Sequence, residues 1–375
     1  MNNSKISNII RVISFALILI TVPVIFLCTP KISVSEDENR VLANPPKLNF
    51  DSYVSRDFMN GASDYISDHF PLRTDLISLK NNAEKIVLKN EFNGVLNIDG
   101  QLVQIFRNPD SSIMQNNCSS IEKYAKKHDT VFALAPTVQN YVAESLPFYA
   151  YQTDESEYIK ECYSITKSAM TVDLSKALGR TSGEYLYYRT DHHWTANGAY
   201  NTYSALGDEL GYAPHDKSEY EITTMSDSFL GTLYSKTLEK DLTPDSILRY
   251  KLKSKIDAQI YDNSGKTINK SLYYKESLYS KDKYSYYLGG NKGVINIKST
   301  AKSGKKLLVF KDSYFNSLSP FLGDEFDEIK VVDLRYATID ELKTVNADEY
   351  DKTLILYNVI GFCDEKTVKK LKYIN

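Results

Sequence analysis

Tryptophan and histidine are scarce in this chain of 375 residues, with one Trp and five His. Cysteine is scarce too. Cys28, Cys118, Cys162 and Cys363 lie far apart and form no Cys-x-x-Cys pair. That spacing excludes a disulfide framework and removes the usual structural zinc motif, leaving buried, inert thiols beyond residue 28. Neither sign of charge dominates, since 45 basic residues face 48 acidic ones for a net charge of -3. Such a balance gives no footprint for nucleic acid. No internal repeat or low-complexity tract is present. What is there, 42% hydrophobic and 25% charged, suits a globular protein long enough for a full core. Tyrosine is abundant at 29, and most of it reads as core and strand filler.

The longest apolar run opens the chain. Residues 12–28 carry no charge, and Lys5 and Arg11 precede them. The run suits a spanning helix better than a signal-peptide core, and no small-x-small cleavage site follows. Pro23 would kink such a helix without forbidding it. The positive flank predicts an uncleaved single-pass signal anchor over 1–28, with residues 29–375 outside the cytoplasm. A cleaved signal is the alternative. Cys28 is a poor lipidation site, because the bulky Phe26 and Leu27 precede it.

Residues 29–50 hold three prolines and a charged run, Glu36–Arg40, and read as an extended stalk. Helices are expected over about 52–69 and 73–90, broken at Phe70-Pro71. Leu76, Leu79, Ala83 and Ile86 keep a helical period in the second. Beyond them short apolar runs alternate with amphipathic stretches. Strands are expected at 130–135, 171–174, 185–188, 306–310, 329–334 and 353–357. Helices are expected at 119–128, 155–170, 196–211, 339–345 and 364–373. Alternation of this kind predicts an α/β domain over 51–375, with a mostly parallel sheet covered by helices. Residues 214–300, rich in Tyr, Ser and Lys, interrupt the pattern and read as a β/loop insertion.

Two segments carry chemistry. The first is Asp191-His192-His193-Trp194, which concentrates two of the five His beside a carboxylate. Asp191 can orient His193 as a base within one loop, but this pair lacks a nucleophile. The second is Asp312-Ser313, at the end of a buried strand and before a short helix. A Ser at such a turn stands at the carboxyl edge of the sheet, where its own N–H can donate to an oxyanion. The bland reading of this turn is a helix cap. Asn358 ends another strand, where an amide could serve the same oxyanion or simply make a turn.

Asp191–Trp194 resembles the signature of the DHHW proteins, relatives of the alginate O-acetyltransferase proteins within the SGNH hydrolase superfamily. The resemblance extends to Glu38-Asn39-Arg40, His69-Phe70-Pro71-Leu72-Arg73, Pro136-Thr137, Lys311-Asp312-Ser313-Tyr314 and Asp333-Leu334-Arg335-Tyr336. It implies a three-layer SGNH-hydrolase-like sheet in circularly rearranged order. Read from residue 306, the chain gives Asp312-Ser313, then Asn358, and then wraps round to Asp191-x-His193. By position, the resemblance makes Ser313 the nucleophile, His193 the base and Asp191 its orienter. Asn358 and Arg335 become candidate oxyanion donors. The chain departs from the family's hydrolases at Lys311, where Gly is usual, and no oxyanion Gly follows the next strand. Trp194 is read as packing, with sugar stacking as its other role. The implied activity is extracytoplasmic transfer of an acyl group, acetyl first, to or from a cell-surface polysaccharide through acyl-Ser313. No cofactor is implied. A membrane-bound O-acyltransferase is the implied acyl supplier.

Two other readings stand beside this one. The chain could be a catalytically inactive scaffold or polysaccharide-binding protein of an acetylation complex. It could also be a metal-dependent hydrolase using Asp191, His192 and His193, although adjacent His side chains diverge and no second His pair completes a shell.

Overall fold

A computed structural model describes residues 3–179, 184–254 and 256–375. They form two compact units, one running to Asn90 and including Ser235–Asp241, the other comprising Glu91–Tyr234 and Leu242–Asn375.

The first unit opens with helix α1 (Asn3–Cys28), which runs through Pro23. Its Ile6–Cys28 portion, 23 residues, is long and apolar enough to cross a membrane, as a signal sequence or an anchor. Strands β1 (Val34–Ser35) and β2 (Arg40–Val41) pair in a minimal hairpin. Three helices follow, α2 (Phe50–Val54), α3 (Asp57–Asp68) and α4 (Arg73–Ile86). The charged run expected in an extended stalk is tied down instead. Arg40 grips Asp68 at 2.9 and 2.5 Å, and Glu38 accepts from Arg73 at 2.8 Å. The helix expected over 52–69 is two helices, because Arg56 adopts a left-handed φ of 67° between them. Helix α4 buries Ser78 and Asn81 and leaves the expected stripe, Leu76, Leu79, Ala83 and Ile86, exposed.

The second unit begins with a small antiparallel sheet of β3 (Glu91–Phe92), β4 (Val95–Ile98) and β5 (Gln101–Gln104). Helix α5 (Ser111–Ala125), strand β6 (Thr130–Ala135), and helices α6 (Val138–Tyr141) and α7 (Glu155–Ile165) follow. Strand β7 (Met170–Asp173) and helix α8 (Ala196–Leu210) come next. Strands β8 (Tyr220–Phe229) and β9 (Asp245–Leu252) form a hairpin around helix α9 (Thr232–Thr237). The remaining strands are β10 (Ala258–Asp262), β11 (Thr267–Asn269), β12 (Val294–Ser299), β13 (Lys306–Lys311), β14 (Glu328–Val332) and β15 (Lys352–Asn358). Helix α10 (Phe315–Gly323) follows β13, α11 (Ile339–Lys343) follows β14, and α12 (Val359–Asp364) follows β15.

One mixed sheet of eight strands organises this unit, in the order β11-β10-β12-β14-β13-β15-β6-β7. Its five strands from β14 to β7 are parallel, and β12, β10 and β11 extend one edge antiparallel. Strand residues alternate between two cores, as a pleated sheet covered on both faces requires. Val131, Ala133, Leu307, Val309, Leu354 and Leu356 meet Ala199, Tyr203 and Leu206 of α8 and Leu318 and Phe321 of α10. Phe132, Leu134, Leu308, Phe310, Ile355 and Tyr357 meet Met114 and Ile121 of α5, Ile159 of α7 and Phe362 of α12.

The expected insertion at 214–300 therefore contributes three strands to the sheet itself. Residues 185–188, expected as a strand, make one bridge, Tyr187 to Trp194. The helix expected at 364–373 is a 3-10 turn over Val368–Tyr373.

Candidate active site

Strand β13 delivers Asp312 and Ser313 to the carboxyl edge, where the chain turns into α10. Asp312 shapes that turn. Its buried carboxylate accepts the Tyr314 N–H at 2.9 Å, the Asn358 N–H at 2.7 Å and the Asn358 side-chain amide at 2.6 Å. Burial raises its pKa, and these donors work the other way. Ser313 is left half-buried at the tip. Among the described residues, no hydrogen bond occupies its backbone N–H.

The base arrives on a loop held by side chains. Asp245, at the start of β9, accepts the N–H groups of Arg189 and Thr190, both at 2.8 Å, and the Thr190 hydroxyl at 2.5 Å. Tyr188 N–H donates to the His193 carbonyl, and Thr195 caps α8. Gly198, one turn into α8, packs so closely that a Cβ would lie 2.5 Å from the Leu186 carbonyl oxygen. This loop lays His193 against Ser313.

His193 Nδ1 lies 2.5 Å from Asp191 Oδ1, and His193 Nε2 lies 2.7 Å from Ser313 Oγ. A carboxylate can only accept, so Nδ1 carries the proton and Nε2 accepts from the Ser313 hydroxyl. Asp191 Oδ2 accepts the Thr232 N–H at 2.8 Å and its hydroxyl at 3.0 Å. The Thr232 hydroxyl in turn accepts from His192 Nδ1 at 2.7 Å. Burial alone would raise the pKa of Asp191. The His192 and His193 imidazoles and their hydrogen bonds outweigh it and hold the group far below the ordinary carboxylate range. Gly231 permits this fit, because a Cβ there would lie 2.4 Å from Asp191 Oδ2.

The packing read first for Trp194 matches the structure; its other role, and the roles of the two candidate oxyanion donors, do not. Trp194 is fully buried, and its indole N–H donates to the Tyr314 carbonyl at 3.1 Å and to Ser317 Oγ at 2.9 Å, so no sugar can stack on it. The Asn358 amide, a candidate oxyanion donor, is spent on Asp312, and its Oδ1 caps α12 at Gly361. Arg335, the other candidate, lies against Asp333 at 2.9 and 2.7 Å. Lys311 is buried beside that pair, with Nζ on Asn291 at 2.7 Å and Asn316 at 2.9 Å; burial lowers its pKa to about 8.

Asp191, His192 and His193 place possible ligand atoms within 4.8 Å of one another. The Asp191 oxygens already take four hydrogen bonds, and His193 Nε2 faces Ser313. The set suits a proton relay better than a ligand shell, which needs lone pairs aimed at one point.

Sequence reasoning missed Thr232, Asp245 and Tyr284. Thr232 and Asp245 carried no signal, because each acts through a contact about 40 or more residues away in sequence. Tyr284, one of 29 tyrosines, stacks on the His193 ring at 3.7 Å between centroids and 10° between planes.

Residues 155–332 match the family model described as DHHW protein. A solved DHHW family protein from Eubacterium siraeum DSM 15702 is similar over 76% of this chain and 96% of its own, at 26% identity and a TM-score of 0.65. Bacillus cereus PatB1, solved also with a sulfonyl adduct, is similar over 74% of this chain and 99% of its own, at 17% identity and a TM-score of 0.59. The O-acetyltransferase domain of Pseudomonas putida AlgJ is similar over 74% of this chain and 98% of its own, at 13% identity. The TM-score of that match is 0.45. No curated protein matches the chain in sequence.

Proposed function

We propose that this chain, a DHHW-family protein, is an extracytoplasmic enzyme of serine-dependent O-acyl transfer. Acetyl is the first choice of group and a cell-surface polysaccharide the acceptor or donor. The observation that carries the reading is the unbroken line from Asp191 through His193 to the Ser313 hydroxyl, at 2.5 and 2.7 Å.

In this reading His193 Nε2 takes the Ser313 proton as Oγ attacks the acyl carbonyl. Asp191 stabilises the imidazolium and fixes its tautomer. The Ser313 N–H, at the turn into α10, donates to the oxyanion. Collapse breaks the bond to the donor's leaving oxygen or sulfur, which takes the proton back from His193. Acyl-Ser313 remains. A sugar hydroxyl, deprotonated by His193, then attacks it, the ester to Oγ breaks, and the proton returns to Ser313; water in place of the sugar makes the enzyme an esterase. The acetyl and polysaccharide assignments rest on the motif resemblance, as does a membrane-bound O-acyltransferase as acyl supplier. An SGNH-like sheet with its order circularly rearranged belongs to the same reading. Helix α1, as an anchor, would keep the site beside such a partner.

The test is labelling of the full chain with a sulfonyl fluoride, mapped by mass spectrometry. Ser313 is expected to take the label, and His193→Ala to slow labelling by about a thousandfold or more. In cells, Ser313→Ala is expected to abolish polymer acetylation at normal protein levels. Unchanged acetylation would assign the chain to a scaffold role instead.

A further inference from the structure

We propose that Tyr284 is a positioning residue that keeps Ser313 and His193 in register, its ring acting on the imidazole and its hydroxyl on the nucleophile's turn. This rests on the serine-acylation reading above. Tyr284 stands in the 3-10 turn Lys283–Tyr286, which Asp282 caps. Its ring is buried and lies parallel to His193, 3.7 Å away. The hydroxyl lies 2.9 Å from the Ser313 carbonyl oxygen and 3.1 Å from Ser317 Oγ.

The donors and acceptors allow one direction through this cluster. The Ser313 carbonyl only accepts, so the Tyr284 hydroxyl donates to it. The Ser317 hydroxyl then donates to Tyr284 and accepts the Trp194 indole N–H at 2.9 Å. A chain thus runs from Trp194 through Ser317 and Tyr284 to the Ser313 carbonyl. Trp194 follows His193 directly, and His193 meets the Ser313 hydroxyl, so the chain closes a ring around nucleophile and base.

The two parts of Tyr284 do different work. The aromatic face meets the imidazole where positive charge forms when Nε2 takes the proton, and a π face attracts that charge. The hydroxyl fixes the peptide plane after Ser313 and so the direction of Oγ. Among the described residues, the groups facing His193 are Asp191 and His192 on its own loop, Ser313 and Tyr314 at the turn into α10, and Tyr284. Of these, Asp191 and Tyr284 favour the cation and His192 opposes it when charged.

The experiment measures the rate of Ser313 sulfonylation by phenylmethylsulfonyl fluoride from pH 5 to 9, using the full chain in detergent. Tyr284→Leu is expected to move the midpoint down by about half to one pH unit, the size of a cation–π term. Tyr284→Phe and Ser317→Ala keep the ring; each is expected to lower the plateau about tenfold with an unmoved midpoint. A purely structural role would lower the amount of active protein and leave the midpoint in place. An unmoved midpoint in Tyr284→Leu, or plateaus within about twofold of the parent in both other variants, overturns the proposal. If Tyr284→Leu does not fold, Tyr284→Met is read in its place. No label on Ser313 in the parent overturns the serine reading itself, which separates that failure from this one.

Discussion

Helices α4 and α8 carry the same kind of apolar stripe and meet opposite fates. In α8, Ala199, Tyr203, Leu206 and Leu210 follow the helical period and are buried. In α4, Leu76, Leu79, Ala83 and Ile86 follow it too, yet Leu79 is 65% and Ile86 83% exposed. The inward face of α4 is polar. Asn81 donates to the Thr237 carbonyl at 2.7 Å, and Lys85 pairs with Glu239 at 2.6 Å. The period of a sequence reveals that a helix has two faces, and it leaves open which face its own unit covers.

The contrast can be broken most forcefully at Leu206. Truncation to Ala in a filled core costs the transfer of the side chain plus a cavity, so Leu206→Ala is expected to lose about 2–5 kcal/mol. Chemical denaturation read by tyrosine fluorescence checks this; a loss under about 1 kcal/mol would mean the α8 face is not packed as described.

Buried polar groups sharpen the comparison, because one of them titrates and Asn81 does not. Glu155 in α7 is buried and accepts from Thr137 N–H at 2.7 Å and from its hydroxyl at 2.5 Å. Burial raises its pKa from 4.5 to about 7. Its folded form therefore holds the proton longer than the unfolded form. Stability should fall as pH rises from about 4.5 to 7, and the full cost, at most about 3 kcal/mol, should be present above that window. Glu155→Gln removes the titration. The difference in Tm between parent and variant is expected to change steadily between about pH 5 and 7 and to level off above that, and a constant difference would refute the assignment.

The smallest effect is expected at Leu79. Leu79→Ala removes an exposed side chain and should change stability by no more than about 0.5 kcal/mol. Denaturation of the full chain in detergent measures it. A loss comparable to that of Leu206→Ala would show that the α4 stripe is covered in solution.

Much of the second unit was legible for physical reasons. Strands β6, β13 and β15 are continuous apolar runs, the mark of strands buried on both faces, and their bounds in the structure differ from expectation by a residue or so. Asp191, His193 and Ser313 stood out because chemistry-bearing residues were concentrated or placed at a strand end. Residues 185–188 misled because Tyr and Leu favour strands generally, whereas here Leu186, Tyr187 and Tyr188 are buried without a strand to pair with. Strand β12 was hidden inside 214–300, because a strand that pairs antiparallel with both its neighbours, β10 and β14, gives no strand–helix rhythm. Tyr284 was hidden by number, as one tyrosine among many; its role depends on a stacking contact that no sequence period encodes.

The imidazole's mooring has a consequence of its own. The hydrogen bonds that hold the Arg189–His193 loop run to Asp245 and Phe229 of the β8–β9 hairpin, to Gly231, Thr232 and Tyr234 between its strands, and to Leu102, Tyr188, Ser313 and Tyr314. The nucleophile follows a strand of the large hydrogen-bonded ladder, while its base hangs from a bracket outside it. Reshaping the β8–β9 bracket would therefore detune or retune the base without disturbing a rung of the ladder that carries the hydroxyl.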